Sequence, residues 1–433
     1  MLTNGKIKIR RGGMRMELDY QVEDALTKVF YGETLVSQLR ELSIDQPILF
    51  LTNQRYYDLF ADKINPLFAN QANNDWYICA NTQCNHLTEL KNLLDFVKRY
   101  PENQSMFIIG FGNEGIMDLA GFFQKHTTLD SSLWMIPVSI RSLSRALTPQ
   151  RTILQLPNRV VLQTINLPER IVYDQTISER QVDGKQIDFL TFICCGMICD
   201  HRFLQNLYKN YPNKKQLTTR PFAGMIEEMI YFYQLEAENL SNYGKLFEQA
   251  FYLTENGHLL SASMKKFLGM MFHFVWNLQA YPFDFQLKNF FVWLDLLGYP
   301  IHWLEQISKM EYLGKVLFLA EKSKKILVLE KIGIIDGYQH PNEKELLRTI
   351  QQTLMTKGFS QEVIQQAIAD LPQEADQEIE YDYLVKQGDK LWRRNLRFEP
   401  KKRNLKVKQS LYQKGFDLDM IQRFITEKEE ESE

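Results

Sequence analysis

The sequence predicts an N-terminal Rossmann-like α/β domain, an all-α second domain, and an all-α tail built from repeated helical units. Three observations predict it. Short apolar runs alternate with helical stretches up to about residue 156, the chain from 187 to 305 reads as long helices rich in Phe, Tyr, Met and Leu, and a Lys-Gly-Phe unit recurs near the C-terminus.

In the first region, Pro47–Leu51 leads to Tyr56–Phe68, Trp76–Ala80 to Leu87–Val97, and Met106–Ile109 to Ile116–Gln124. Strand alternating with helix is the pattern of a parallel sheet, because parallel strands need a crossover between them. This domain is assigned residues 16–165. Residues 166–335 form the second domain, with helices such as Phe222–Gln234 and Lys265–Leu278. Near its end, Lys315–Leu319 and Lys325–Leu329 read as a returning hairpin, and Gly333–Pro341 as a connector. Residues 342–433 form the tail. There Leu354–Gln365 recurs as Leu411–Gln422, with Gly358 and Gly415 as helix stops and Ser360 and Asp417 as caps of the next helix. Repeated helical units of this kind share one continuous core.

The chain has 433 residues, is 45% hydrophobic and carries a formal charge of −2, so it has ample material for cores and is not built as a whole to coat nucleic acid. Five cysteines make an odd count and no secreted disulfide framework, which points to a reducing, cytoplasmic setting. No apolar run reaches the length of a membrane span, so no membrane partner is expected.

The segment with most chemistry is Gly110-Phe-Gly112-Asn-Glu-Gly115, a G-x-G-x-x-G turn between an apolar run and an apolar-periodic helix. Such a turn admits backbone close to a phosphate and aims a helix N-terminus at the anion, so Gly110, Gly112, Gly115 and the following Asp118 are the candidate cofactor-binding residues. The acid that normally ends the next strand is absent, since Asp130 precedes the run Leu133–Ile140. Cys195, Cys199 and His201 lie within one or two helical turns but lack a fourth metal ligand, and buried thiols are the expected reading. His273, inside Met270-Met-Phe-His-Phe-Val, is expected to be a hydrogen-bonded core residue.

With these residues in view, Gly112–Phe122 resembles the 3-dehydroquinate synthase signature, a glycine triplet followed by x-x-G-D-L-A-G-F. Cys195–Phe203, Asn242–Ala250 and Leu327–Ile334 resemble further segments of that family in the same order. The resemblance spans residues 16 to about 335. It implies an NAD- and zinc-dependent cyclase scaffold, with one Glu and two His holding the metal. On this chain those three positions fall on Thr191, Lys245 and Ala262. Further family positions fall on Cys194, Gln249 and Arg145, the second and third glycines of the triplet on Asn113 and Glu114, and a cofactor contact on Gln83 and His86. Arg151 and Arg159 stand where the family has lysines, which implies some surviving affinity for anions. The expectation is a pseudoenzyme with vestigial NAD and zinc sites and no bound cofactor. The alternative is an active NAD- and metal-dependent cyclase of the shikimate type with replaced ligands.

The tail resembles the C-terminal repeats of the RecX family of recombination regulators, through Lys357-Gly-Phe359, Lys414-Gly-Phe416 and Asp389–Arg394. That resemblance implies an all-α tail of three-helix repeats, a partner in the RecA filament and a role in DNA repair. An acidic run from Glu374 to Asp382 precedes a basic block holding Lys390, Arg393, Arg394, Arg397, Lys401, Lys402 and Arg403, with Trp392 and Phe398 inside it. These seven cations are the candidate partner-binding residues, suited to phosphates or to an acidic protein face. A solvated helix face screened by neighbouring carboxylates is the competing reading. Homo-oligomerisation is left open.

Overall fold

The computed structural model describes residues 10–348 and 377–430, except 13–14, 23–24, 33, 36–45, 69–73, 82, 156–158, 180–181, 300–303, 305, 323–324, 343, 345, 396–397 and 414–417. An antiparallel meander opens the chain: β1 (Arg10–Gly12), β2 (Arg15–Val22) and β3 (Ala25–Tyr31). Strand–helix units follow: β4 (Ile48–Asn53) with α1 (Gln54–Ile64), β5 (Asn74–Cys79) with α2 (Leu87–Val97), β6 (Ser105–Gly112) with α3 (Glu114–His126), and β7 (Asp130–Pro137) with α4 (Ile140–Leu147). A separate hairpin, β8 (Gln150–Gln155) and β9 (Arg159–Ile165), leads to β10 (Arg170–Tyr173).

Eight strands form one sheet in the order β1-β2-β3-β10-β7-β6-β4-β5, parallel from β3 onward. β4 is buried along its whole length and β6 over all but its first residue, as expected of parallel strands covered on both faces. One face packs Phe50, Ile109, Phe111, Ile136 and Val172 into a single apolar cluster. β10 runs between β3 and β7, so the sheet extends past residue 165, where the sequence reading ends the α/β domain. Four residues carry too little periodicity to announce a strand.

The helical region comprises α5 (Gln175–Glu179), α6 (Val182–Ile198), α7 (His201–Asn210), α8 (Lys214–Thr219), α9 (Ala223–Asn242), α10 (Lys245–Leu253), α11 (Ala262–Ala280), α12 (Leu287–Leu296) and α13 (Lys309–Lys322). A hairpin of β11 (Ile326–Lys331) and β12 (Ile334–Gln339) follows. Two expectations are corrected here. Lys315–Leu319 lies inside α13, whose buried residues Tyr312, Leu313 and Val316 repeat at helical spacing. The supposed connector is instead the second strand of the hairpin, turned at Gly333 with φ +80°.

α10 and α11 approach closely because glycines face each other across the contact. A Cβ on Gly244, which has φ +80°, would sit 2.7 Å from the Met270 nitrogen, and one on Gly269 would sit 2.8 Å from the Glu248 nitrogen. His273 fixes the same junction. Its Nδ1 accepts from the Gly244 N–H at 2.8 Å, and its Nε2 lies 2.7 Å from the Leu327 carbonyl, which makes it the hydrogen-bonded core residue expected.

Residues 1–353 form one compact unit and 354–433 a second. In the second unit, α14 (Gln377–Asn395), α15 (Pro400–Gln413) and α16 (Leu418–Glu430) enclose Leu384, Trp392, Val407, Leu411, Ile421, Phe424 and Ile425. The first repeat copy, with Gly358 and Ser360, lies outside the described residues, as do Gly415 and Asp417. No helix among the described residues is long and apolar enough to cross a membrane.

Candidate functional site

The glycine turn is built as strand, cap and helix. Gly110 is inside β6, paired with Leu51 and Met135, and a Cβ there would meet the Ala120 Cβ at 2.8 Å, so its small size lets α3 lie against the sheet. A Cβ on Gly112 would meet Ile116 Cγ1 at 3.0 Å, and one on Gly115 would meet the Cys84 nitrogen at 3.0 Å. The helix begins at Glu114. Asn113 caps it, its Oδ1 accepting the Ile116 N–H at 3.2 Å, and the Glu114 carboxylate lies 3.5 Å from Arg141 Nη1. A dinucleotide needs free N–H groups at this point and no negative charge beside its pyrophosphate. The side-chain cap and the glutamate do not fit that group.

Asp118 is buried on α3 and fully engaged. Arg145 donates to it from Nε at 2.8 Å and Nη2 at 2.5 Å, Asn85 Nδ2 donates at 3.1 Å, and Thr152 donates from its backbone N–H at 3.3 Å and its hydroxyl at 3.2 Å. Five donors tie α3 to α4, β8 and the segment before α2. Sequence reading singled out Asp118 and Arg145 separately; Asn85 and Thr152, which complete the network, gave no signal of their own.

Arg151 does not serve as an anion contact in this arrangement. Completely buried, it donates to the carbonyls of Asn166 at 2.9 Å, Arg145 at 2.7 Å and Ala146 at 2.9 Å. Burial, helped by the nearby Arg145 charge, pushes its pKa down to about 9. Gly121 makes room for it, since a Cβ there would lie 2.7 Å from the guanidinium Nε. Arg159 is exposed on β9, and His86 caps α2 by accepting the Thr88 N–H at Nδ1.

At the positions that the sequence resemblance gives to zinc ligands stand Thr191, buried on α6, Lys245, half-buried at the start of α10, and Ala262, exposed at the start of α11. Alanine has no donor, a protonated amine has no free lone pair, and a lone threonine hydroxyl is a poor ligand, so this set does not fit zinc. Burial lowers the Lys245 pKa, and the neighbouring Arg145 lowers it further, while Glu248 and Asp118 oppose the shift. Cys194 is buried, and Gln249 is partly buried on α10. Burial also raises the Cys195 and Cys199 thiols, and His201 is exposed at the first position of α7. No cluster of three or more metal-ligating side chains occurs among the described residues.

The tail presents its charges differently. Lys390, Arg393 and Arg394 are exposed on α14, and Lys402 on α15. Arg403 is half-buried with its guanidinium carbon 4.2 Å from the Trp392 ring centroid, so part of its role is packing. Lys406 Nζ lies 3.9 Å from the Phe398 ring centroid. Arg397 and the side chain of Lys401 lie outside the described residues. Three exposed cations thus lie on the helix that contributes Leu384 and Trp392 to the apolar core.

Residues 378–425 match the family described as RecX, third three-helix domain. Curated relatives include the regulatory protein RecX of Enterococcus faecalis, 49% identical over 94 residues, which is 22% of this chain and 35% of that protein. Another is the regulatory protein RecX of Bacillus cereus, 31% identical over 131 residues, 30% of this chain and 44% of that protein. The chain thus spans less than half the length of these relatives. Among solved structures, a 2-deoxy-scyllo-inosose synthase complexed with carbaglucose-6-phosphate, NAD+ and Co2+ superposes with a TM-score of 0.65 at 12% identity, covering 78% of this chain and 99% of that one. The 2-epi-5-epi-valiolone synthase of Streptomyces hygroscopicus, with NAD+ and Zn2+ bound, gives 0.64 at 9% identity with the same coverage. At such identities the likeness establishes the fold alone: the first unit has the dehydroquinate-synthase-like architecture, and the second carries a RecX-type helical module.

Proposed function

We propose that this protein is a cytoplasmic, non-catalytic regulator whose RecX-like module engages RecA filaments or the nucleic acid within them, on a cyclase-like scaffold that no longer performs cyclase chemistry. The observation that carries the reading is the exposed row Lys390, Arg393 and Arg394 on a helix inside the segment that matches the RecX family. Cations held at a surface by a packed core meet phosphates or an acidic protein face without further rearrangement. Support for the loss of chemistry comes from the first unit. Its zinc positions hold Thr191, Lys245 and Ala262, and its helix N-terminus is capped by Asn113. The scaffold therefore works without bound NAD or zinc.

The test uses the full chain. Binding to RecA filaments on single-stranded DNA is expected to weaken steeply with added salt. Replacing Lys390, Arg393, Arg394 and Lys402 together by Ala is expected to abolish it while leaving the helical circular dichroism unchanged, because exposed substitutions cost within about 0.5 kcal/mol each. Unchanged binding by the quadruple variant would falsify the placement of the partner on this face. Stoichiometric zinc or NAD in the purified protein would overturn the non-catalytic reading.

A further inference from the structure

A groove of about 570 Å³ lies between α7 and the segment that runs from Asp284 into α12, a size within the roughly 300–1,000 Å³ of small-ligand sites. Its aromatic rings touch in series. Phe285 meets Phe290 at 5.5 Å between centroids, Phe290 meets Trp293 at 5.9 Å, and Trp293 meets Tyr208 at 5.6 Å. Phe290 and Trp293 are buried, and the Trp293 indole is fixed by donating its N–H to the Tyr211 carbonyl at 2.8 Å. Tyr208 keeps 53% of its surface exposed, so a large ring is held in water by a T-shaped contact with that indole. A ring held this way suits a second planar ring, because stacking covers an apolar face that water otherwise wets.

The polar groups of the groove narrow the choice. Asn289 Nδ2 donates to Gln286 Oε1 at 2.5 Å, which leaves the pair one amide acceptor, Asn289 Oδ1, and one amide donor, Gln286 Nε2. Exchanging oxygen and nitrogen in both amides again leaves one of each. A donor beside an acceptor complements the edge of a nucleobase. The Asp284 carboxylate only accepts, which favours a base with an exocyclic amino group, and exposed Lys209 supplies a cation for a phosphate. A purely apolar ligand makes no use of these groups.

We propose that this groove binds a nucleotide, with its base stacked on Tyr208 and read by the Gln286–Asn289 pair and Asp284, and its phosphate met by Lys209. The nucleotide comes free from solution or as one unit of a single strand. The groove uses neither the glycine turn nor the cations of the tail, so it stands apart from the function proposed above.

Isothermal titration of the full chain with AMP, GMP, CMP and UMP, and with single-stranded oligonucleotides of dA, dC and dT, tests it. The background is the chain with Lys390, Arg393, Arg394 and Lys402 replaced together by Ala, which removes the tail as a source of binding. At least one amino-bearing base is expected to bind, about tenfold or more tighter than UMP or the dT strand. Binding of the monophosphates identifies a free nucleotide as the ligand, and binding confined to the strands identifies single-stranded nucleic acid. Tyr208→Ala is expected to weaken the binding about tenfold, as loss of one stacking contact does, and Tyr208→Phe to retain it. Lys209→Ala is expected to weaken binding of the nucleotide and to leave binding of the matching nucleoside, which lacks the phosphate, unchanged. Both side chains are exposed, and unchanged melting temperatures show that the fold is intact. Should Tyr208→Ala melt early, the nucleotide-to-nucleoside ratio in Lys209→Ala decides alone. Binding of no nucleotide or strand, or binding insensitive to both substitutions, overturns the groove inference and leaves the proposed function standing. UMP bound as tightly as the other three would overturn the role of Asp284.

Discussion

Asp118 with Arg145, and the row Lys390, Arg393 and Arg394, are both charged groups that sequence patterns single out for binding, yet they occupy opposite physical situations. The first pair is mostly buried, with side-chain exposures of 6% and 18%, and the carboxylate accepts from five donors. The second row is exposed along α14, above a core that includes Trp392. A charge whose hydrogen-bonding capacity is filled by its own chain holds the fold together and has little left for a ligand. An exposed charge contributes little to stability and keeps its capacity for a partner.

The comparison breaks most readily at Asp118. Asp118→Ala leaves the Arg145 guanidinium in its site without its carboxylate and is expected to cost about 3 kcal/mol. Equilibrium urea unfolding of the full chain measures it. A loss below about 0.5 kcal/mol would place the carboxylate among the groups free to meet a ligand.

Acid sharpens the same contrast through His273, whose pKa burial pushes down to about 4. The Gly244 N–H points at Nδ1, so a proton there would set donor against donor. On acidification the unfolded chain takes up this proton first, near pH 6.5, so the stability from neutral His273 is complete above that pH. It is lost progressively as the pH falls to about 4, a span worth ~3 kcal/mol. Unfolding free energies at several pH values should show this slope in the parent chain and not in His273→Asn, which is expected to be less stable at neutral pH. An identical slope in both would place the acid sensitivity elsewhere.

The smallest effect belongs to the turn. Asn113→Ala removes the α3 cap and is expected to cost about 1 kcal/mol. If the turn were instead poised for a phosphate, uncapping it would leave thermal stability unchanged.

Much of the fold was legible because its signals are local. The predicted helix Leu87–Val97 appears with those limits, and Met106–Ile109 and Ile116–Gln124 fall inside β6 and α3. The 315–319 run misled because its apolar residues suit a strand, while the helix phase that decides the matter begins at Lys309. The candidate site was legible only in part. Asp118 meets Asn85 and Thr152 across 33 and 34 residues, a distance along the chain that no local pattern bridges.

The position of β10 bears on how the chain comes together in time. β3 is made long before its parallel neighbour Arg170–Tyr173, and β7 waits for the same strand. Until the ribosome has released residue 173, both strands carry open edges able to pair with other chains. Closing the sheet therefore depends on a contact about 140 residues apart along the chain, the kind that slows folding and lengthens exposure to aggregation. Any fragment ending at 165 would keep those two edges open permanently.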